Sequence, residues 1–89
     1  MKRICLSDTF KKAYKKRLKA NANQHLAFVE AMLLFFHEPN HPSLRVHKLT
    51  GVLKDYWSFS IEYDLRVVFQ YGNDNDIILI DIGTHDQVY

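Results

Sequence analysis

Apolar side chains recur along this chain first with a helical period and then with a period of two, and the change falls just after Pro39 and Pro42. Residues 3–6 read as a short strand. Ser7 then supplies an N-cap oxygen, with Asp8 in the first turn of a helix, where its charge suits the dipole. Phe10, Ala13, Tyr14 and Leu18 form an apolar stripe at i, i+3, i+4 and i+8, and Lys11, Lys12, Lys15, Lys16 and Lys19 fall outside it. Residues 21–23 break the pattern. Over residues 24–36, Leu26, Val29, Met32, Leu33 and Phe36 share one wide face that Ala27, Ala31 and Leu34 extend, which predicts a second, largely buried helix. The two prolines end it, because each lacks an amide hydrogen and restricts the residue before it.

Residues 44–49 are a strand candidate, and Thr50 with Gly51 a turn. Trp57, Phe59, Ile61 and Tyr63 alternate with Ser58, Ser60 and Glu62, the mark of a strand with one buried and one polar face. Residues 63–65 suit a hairpin turn, after which Leu65, Val67, Phe69 and Tyr71 make an apolar face and Arg66, Val68 and Gln70 the other. With both apolar faces toward the helices, Glu62 and Arg66 share the open face. Residues 72–76 form a turn by composition, and residues 77–82 are apolar enough for a central strand that Gly83 ends. The order β-α-α-β-β-β-β describes an α+β fold: two N-terminal helices packed on one face of a four- to five-stranded, mainly antiparallel sheet.

With 89 residues, 47% apolar and 25% charged, the chain is sized for one domain over residues 1–89, without repeats or a flexible linker. So short a chain buries only about 60–65% of its unfolded surface, so a stabilising partner would matter to it. Cys5 sits in a strand that looks buried and has no second thiol for a disulfide or a metal site, which points to the cytoplasm. Met1, Lys2 and Arg3 begin like a signal peptide, but the polar run from Ser7 to Lys12 interrupts it, and nothing approaches the roughly 18 apolar residues of a membrane span. The net charge of +2 divides into +7 over residues 1–20 and −5 over the rest. Lys11, Lys12, Lys15, Lys16, Arg17 and Lys19 therefore either attract a polyanion or form an ordinary solvated helix face.

Candidate chemistry lies in the strand half, at His47, Arg66 and His85. Arg66 is a cation between apolar neighbours. It either pairs with Glu62 or Asp64 across the hairpin, or offers five donors to a phosphate that gains charge in a transition state. His85 follows Gly83 and Thr84 near the end of the sequence, which leaves its imidazole accessible. Two imidazoles and a guanidinium suffice for metal-free RNA cleavage: one group takes the 2′-hydroxyl proton, one protonates the leaving 5′-oxygen, and one stabilises the phosphorane. His37 and His41 are four apart, but Pro39 denies them a common helix face, and neither a metal site nor a glycine-rich phosphate loop is expected.

Three segments carry a family resemblance: Leu49, Thr50, Gly51, Val52 and Leu53 leading to Trp57; Asp64, Leu65 and Arg66 leading to Phe69; and Gly83, Thr84 and His85 leading to Tyr89. With the element order and the basic first helix, they make the chain similar to the RelE/ParE toxin superfamily, and to its RelE/StbE and YafQ-like branch in particular. The resemblance implies the toxin of a type II toxin-antitoxin system: a cytoplasmic, ribosome-dependent endoribonuclease that cuts messenger RNA without metal or cofactor and is silenced by a cognate antitoxin. By position it implies His47 as general base, Arg66 on the scissile phosphate, His85 as general acid and Tyr89 stacking on a base. Lys48 and the helix cations Lys11, Lys12, Lys15, Lys16 and Lys19 would contact RNA phosphates. Asp81 and Ser60 stand where YafQ-type members carry an arginine and a histidine, which implies a less cationic site and leaves the division of acid and base roles open. The alternatives are a ParE-like inhibitor of DNA gyrase, which needs no acid–base pair, and a catalytically weakened antitoxin-binding member.

Overall fold

The computed structural model describes residues 3–89, so Met1 and Lys2, the start of the signal-like opening, lie outside it. The strands are β1 (Ile4–Leu6), β2 (His47–Lys48), β3 (Trp57–Glu62), β4 (Leu65–Tyr71) and β5 (Ile77–Gly83), and the helices are α1 (Asp8–Arg17), α2 (Ala22–His37) and α3 (His85–Val88). They build an α+β fold on a five-stranded sheet of order β1-β5-β4-β3-β2. β1 runs parallel to β5, and the other pairs are antiparallel.

Each helix begins where a side chain can accept an orphan amide hydrogen. Ser7 Oγ accepts from Phe10 N at 3.0 Å, Asn21 Oδ1 from Gln24 N at 3.0 Å, and Thr84 Oγ1 from Gln87 N at 3.4 Å. The α1 stripe packs as its spacing requires: Phe10, Ala13 and Leu18 join Phe59, Val67, Phe69, Leu79 and Ile82 in the core, with Tyr14 half-buried against it. From α2, Phe35 stacks on Phe59 with ring centroids 4.8 Å apart and meets Phe69 edge-on at 5.1 Å.

Four expectations are corrected. In α2 the buried face is Ala31 and Phe35, with Phe28, Met32 and Leu34 partly covered, whereas Leu26, Val29, Leu33 and Phe36 are exposed. Both faces of this helix are apolar, so hydrophobicity did not tell the core from the surface. Residues 44–49 are not one strand. Leu44 ends a single 3-10 turn, Arg45 takes the left-handed conformation with φ 50°, and only His47 and Lys48 pair with β3. Cys5 is exposed, because β1 is an edge strand that among the described residues pairs with β5 alone. Ser58 and Ser60 are buried, while Tyr63 is 97% exposed in a hairpin turn. A register shift between Ser60 and Glu62 moves Tyr63 off the apolar face. Beyond Gly83 the chain forms α3, which no apolar period marks.

Candidate active site

Directly opposed residues of antiparallel strands share a sheet face, so register places the candidate side chains. His47 on β2 opposes Ser58 on β3, and Ser60 two positions along opposes Arg66 on β4, which in turn opposes Gly83 at the end of β5. His47, Ser58, Ser60 and Arg66 therefore lie on the face away from the core of Phe59, Val67 and Phe69. β2 and β4 are two strand spacings apart, about 10 Å, a gap that an imidazole and a guanidinium can close around one phosphate.

α3 completes the enclosure. Tyr89 Oη donates to Ser58 Oγ, and the His85 and Tyr89 rings meet edge-on with centroids 4.6 Å apart. This contact brings the chain's last turn over the polar side of β3, which is why Ser58 is buried there. The result is an open cleft of about 240 Å³ lined by Arg45, His47, Ser60, Arg66, His85 and Tyr89. His47, Arg66, His85 and Tyr89 are thus brought together. Arg45, which sequence reasoning missed, joins them; its left-handed cap conformation was the signal, and neither spacing nor charge pattern exposed it.

Hydrogen bonding orients each group. His47 Nδ1 lies 2.8 Å from the Arg45 carbonyl, which can only accept, so Nδ1 carries a hydrogen and in the neutral ring Nε2 is the nitrogen with the lone pair. Arg66 donates from Nη1 to Ser60 Oγ at 3.0 Å and forms no ion pair among the described residues; its Nε is buried without an acceptor. The expected pairing with Glu62 or Asp64 does not form. Asp64 Oδ1 instead accepts the His85 amide hydrogen at 3.3 Å, tying the hairpin to α3. Thr84 and Gln87 close a capping box beneath His85. His85 Nδ1 stands 3.5 Å from Asp86 Oδ1, with both side chains largely solvated.

The other candidates lie elsewhere. Lys48 opposes Trp57 and so takes the sheet face opposite His47. Lys11, Lys12, Lys15, Lys16 and Lys19 are exposed on or just after α1, whose packed side meets the core, so they and the cleft belong to opposite sides of the sheet. Asp81, bonded to Arg17 at 3.1 Å, is absent from the cleft lining. Among the described residues no group of three or more His, Cys, Asp or Glu is placed to hold a metal ion, and no helix is long and apolar enough to cross a membrane.

Residues 2–89 match the family described as bacterial toxin of type II toxin-antitoxin system, YafQ. Among solved structures, a copper-bound mutant toxin from Helicobacter pylori is similar over 100% of both chains, at 27% identity and TM-score 0.81. YafQ from E. coli strain BL21(DE3) shares the fold at TM-score 0.82 and 20% identity, over 100% of this chain and 99% of its own. The E. coli DinJ-YafQ toxin-antitoxin complex contributes a chain at TM-score 0.72 and 22% identity, covering 99% of this chain and 97% of that one. No curated protein matches the sequence.

Proposed function

The chain belongs to the YafQ family of type II toxins, and on that premise we propose that it is a metal-independent endoribonuclease that cuts messenger RNA at the ribosome. The whole of residues 1–89 acts as one toxin domain in the cytoplasm. The observation that carries the reading is the convergence of His47, Arg66 and His85, with Arg45, on one cleft.

His47 Nε2 takes the proton of a 2′-hydroxyl, whose oxygen attacks the adjacent phosphorus. Arg66 holds the non-bridging oxygens as their charge grows in the phosphorane. The bond from phosphorus to the 5′-oxygen breaks, and His85 delivers a proton to that oxygen. The products are a 2′,3′-cyclic phosphate and a 5′-hydroxyl. Tyr89, edge-on to His85, stacks on a neighbouring base. The cations of α1, on the other side of the sheet, contact ribosomal RNA phosphates while the cleft receives the message.

A cognate antitoxin is the partner, as DinJ is in the E. coli complex. It covers the exposed apolar positions Leu26, Val29 and Leu33 of α2 and the apolar groove of Leu6, Phe10, Tyr14 and Phe28, which Lys11 and Lys15 border. An amphipathic segment with an acidic rim fits that surface.

Induction of the wild-type toxin, with mapping of cut messages, tests the reading. Cuts within translated codons that disappear in Arg66→Ala and in a histidine variant support it. Growth arrest without cuts, unchanged by His47→Ala and His85→Ala, replaces it with inhibition of another target such as gyrase.

A further inference from the structure

Ser58 is 0% exposed, the most deeply buried polar residue among those described, although its side chain leaves the sheet on the face away from the core. A hydroxyl so covered costs free energy unless it finds a partner. It finds the Tyr89 hydroxyl, 31 positions along the chain. Tyr89 is 40% exposed, so burial alone does not hold its ring in place. The helix that carries it, α3, has four residues, too few to keep a helical turn unaided. Its start is tied down by the Thr84–Gln87 capping box and by Asp64, which accepts the His85 amide hydrogen. Its end is tied down by the bond from Tyr89 to Ser58. His85 and Tyr89, at i and i+4, share one side of this turn, and their rings meet at 4.6 Å with planes 86° apart. Asp86, 3.5 Å from His85 Nδ1, is fully solvated and so restrains the imidazole weakly.

We propose that Ser58 is a positioning residue for the reaction: by holding the Tyr89 hydroxyl it sets the Tyr89 ring against His85, and so fixes the imidazole that protonates the leaving 5′-oxygen. This inference rests on the RNA-cleaving function above. Ser58 itself does not touch the substrate. It is absent from the lining of the cleft, where His85 and Tyr89 both stand. The two parts of Tyr89 therefore have separate tasks. The ring meets the imidazole and stacks on a base, and the hydroxyl decides where the ring stands. An exposed imidazole without that wall samples several rotamers, and each departure from the productive one costs rate.

Ser58→Ala removes the acceptor and Tyr89→Phe the donor of one hydrogen bond, so the double variant should be no slower than either single one. In proton NMR spectra of the antitoxin-free toxin, the ring current of Tyr89 displaces the His85 imidazole resonances. In both single variants that displacement shrinks, while the amide resonances of the core strands hold. In single-turnover cleavage on programmed ribosomes, both lose about tenfold in maximal rate with KM unchanged. On a message with sulfur in place of the bridging 5′-oxygen at the scissile phosphate, the leaving thiolate needs no proton, and both cut as fast as the wild type. His85 resonances that are the same in all three proteins overturn the positioning role. So does an equal loss on both messages where His85→Ala slows the oxygen message alone. A His85→Ala variant equally slow on both messages removes the general-acid assignment, and a wild type that cuts neither removes the nuclease. In those two cases the NMR comparison still decides whether Ser58 fixes the imidazole.

Discussion

Arg17 near the end of α1 and Asp81 on β5 form an ion pair of 3.1 Å, with side-chain exposures of 22% and 23%. The same Arg17 Nη1 donates to the Ile82 carbonyl at 2.6 Å, so the first helix grips the strand just before it turns into α3. A Cβ on Gly83 would stand 2.7 Å from that nitrogen and 2.6 Å from Gln87 Oε1, the acceptor in the capping box beneath His85. Asp81, an acidic intrusion when read as part of the site, is instead a structural anchor.

Arg17→Met therefore destabilises the fold by about 1–2 kcal/mol, since it removes charge-assisted hydrogen bonds from a largely covered position. In a domain of this size that lowers Tm by roughly 4–8 °C per kcal/mol, readable by thermal denaturation. Gly83→Ala crowds both Arg17 and Gln87. Its expected signature is a fall in RNA cleavage out of proportion to its shift in Tm, because the crowding acts at the start of α3.

His47→Ala and His85→Ala should each reduce cleavage by about 10²–10⁴-fold, the usual worth of a positioned acid or base. Arg66→Ala should cost about 10²–10³-fold through lost stabilisation of the phosphorane. His47 and His85 are exposed, so circular dichroism melts of their variants should overlay the wild type. Single-turnover cleavage on programmed ribosomes gives the rates. Full activity in both histidine variants would remove the acid–base assignment.

At the start of the sheet, Arg3 donates from Nε and Nη2 to Asp76 Oδ2 at 3.3 and 2.9 Å and from its backbone to Oδ1 at 3.1 Å. The Arg3 side-chain hydrogen bonds hold the Asp76 carboxyl below its ordinary range, outweighing the opposing effect of burial. A carboxyl whose pKa is lower in the folded protein stabilises it above the ordinary aspartate value of about 3.9, and loses that contribution as pH falls through the lowered value. Asp76→Asn should thus be less stable than the wild type near neutrality, with the gap in Tm closing as the pH falls below about 4. A gap constant across the acid range would show that charge at Asp76 is irrelevant to folding.

On α2, Leu33 is 58% and Leu26 56% exposed. Leu33→Asp places a charge in an apolar interface and sets it against an acidic partner, so antitoxin affinity should weaken by at least about tenfold, the scale of an interface hot spot. Toxin stability should hardly change. Titration calorimetry against the purified antitoxin measures the first, and a thermal melt the second. Unchanged affinity would put the antitoxin on another face.

Much of the architecture was legible before any coordinates. The Ser7 oxygen sits where α1 must begin, the α1 stripe is the buried stripe, and the alternation from Trp57 onward became β3 and β4, whereas residues 21–23, read as a break, hold the Asn21 cap and the first turn of α2. Those features depend on residues near one another in the chain, where period and capping act directly. The failures share a cause. Leu26, Val29 and Leu33 are as apolar as Phe35 and Ala31, and only the docking of α2 onto the sheet decides which side meets it. Tyr63 follows the alternation of its strand, but a register shift carries it into the turn.

The sequence by itself determined the element order as far as β5, the residue types able to cleave RNA and the family resemblance that picked His47, Arg66, His85 and Tyr89. Tertiary structure decided that these four meet, because strand register and the return of α3 bring residues up to 42 positions apart onto one sheet face. It also enlisted Arg45, which lines the cleft from a single left-handed backbone position, and withdrew Lys48 to the other face by one step of strand alternation. Local pattern records propensity and polarity; which distant groups share a cleft depends on register, docking and caps that no short window of sequence contains.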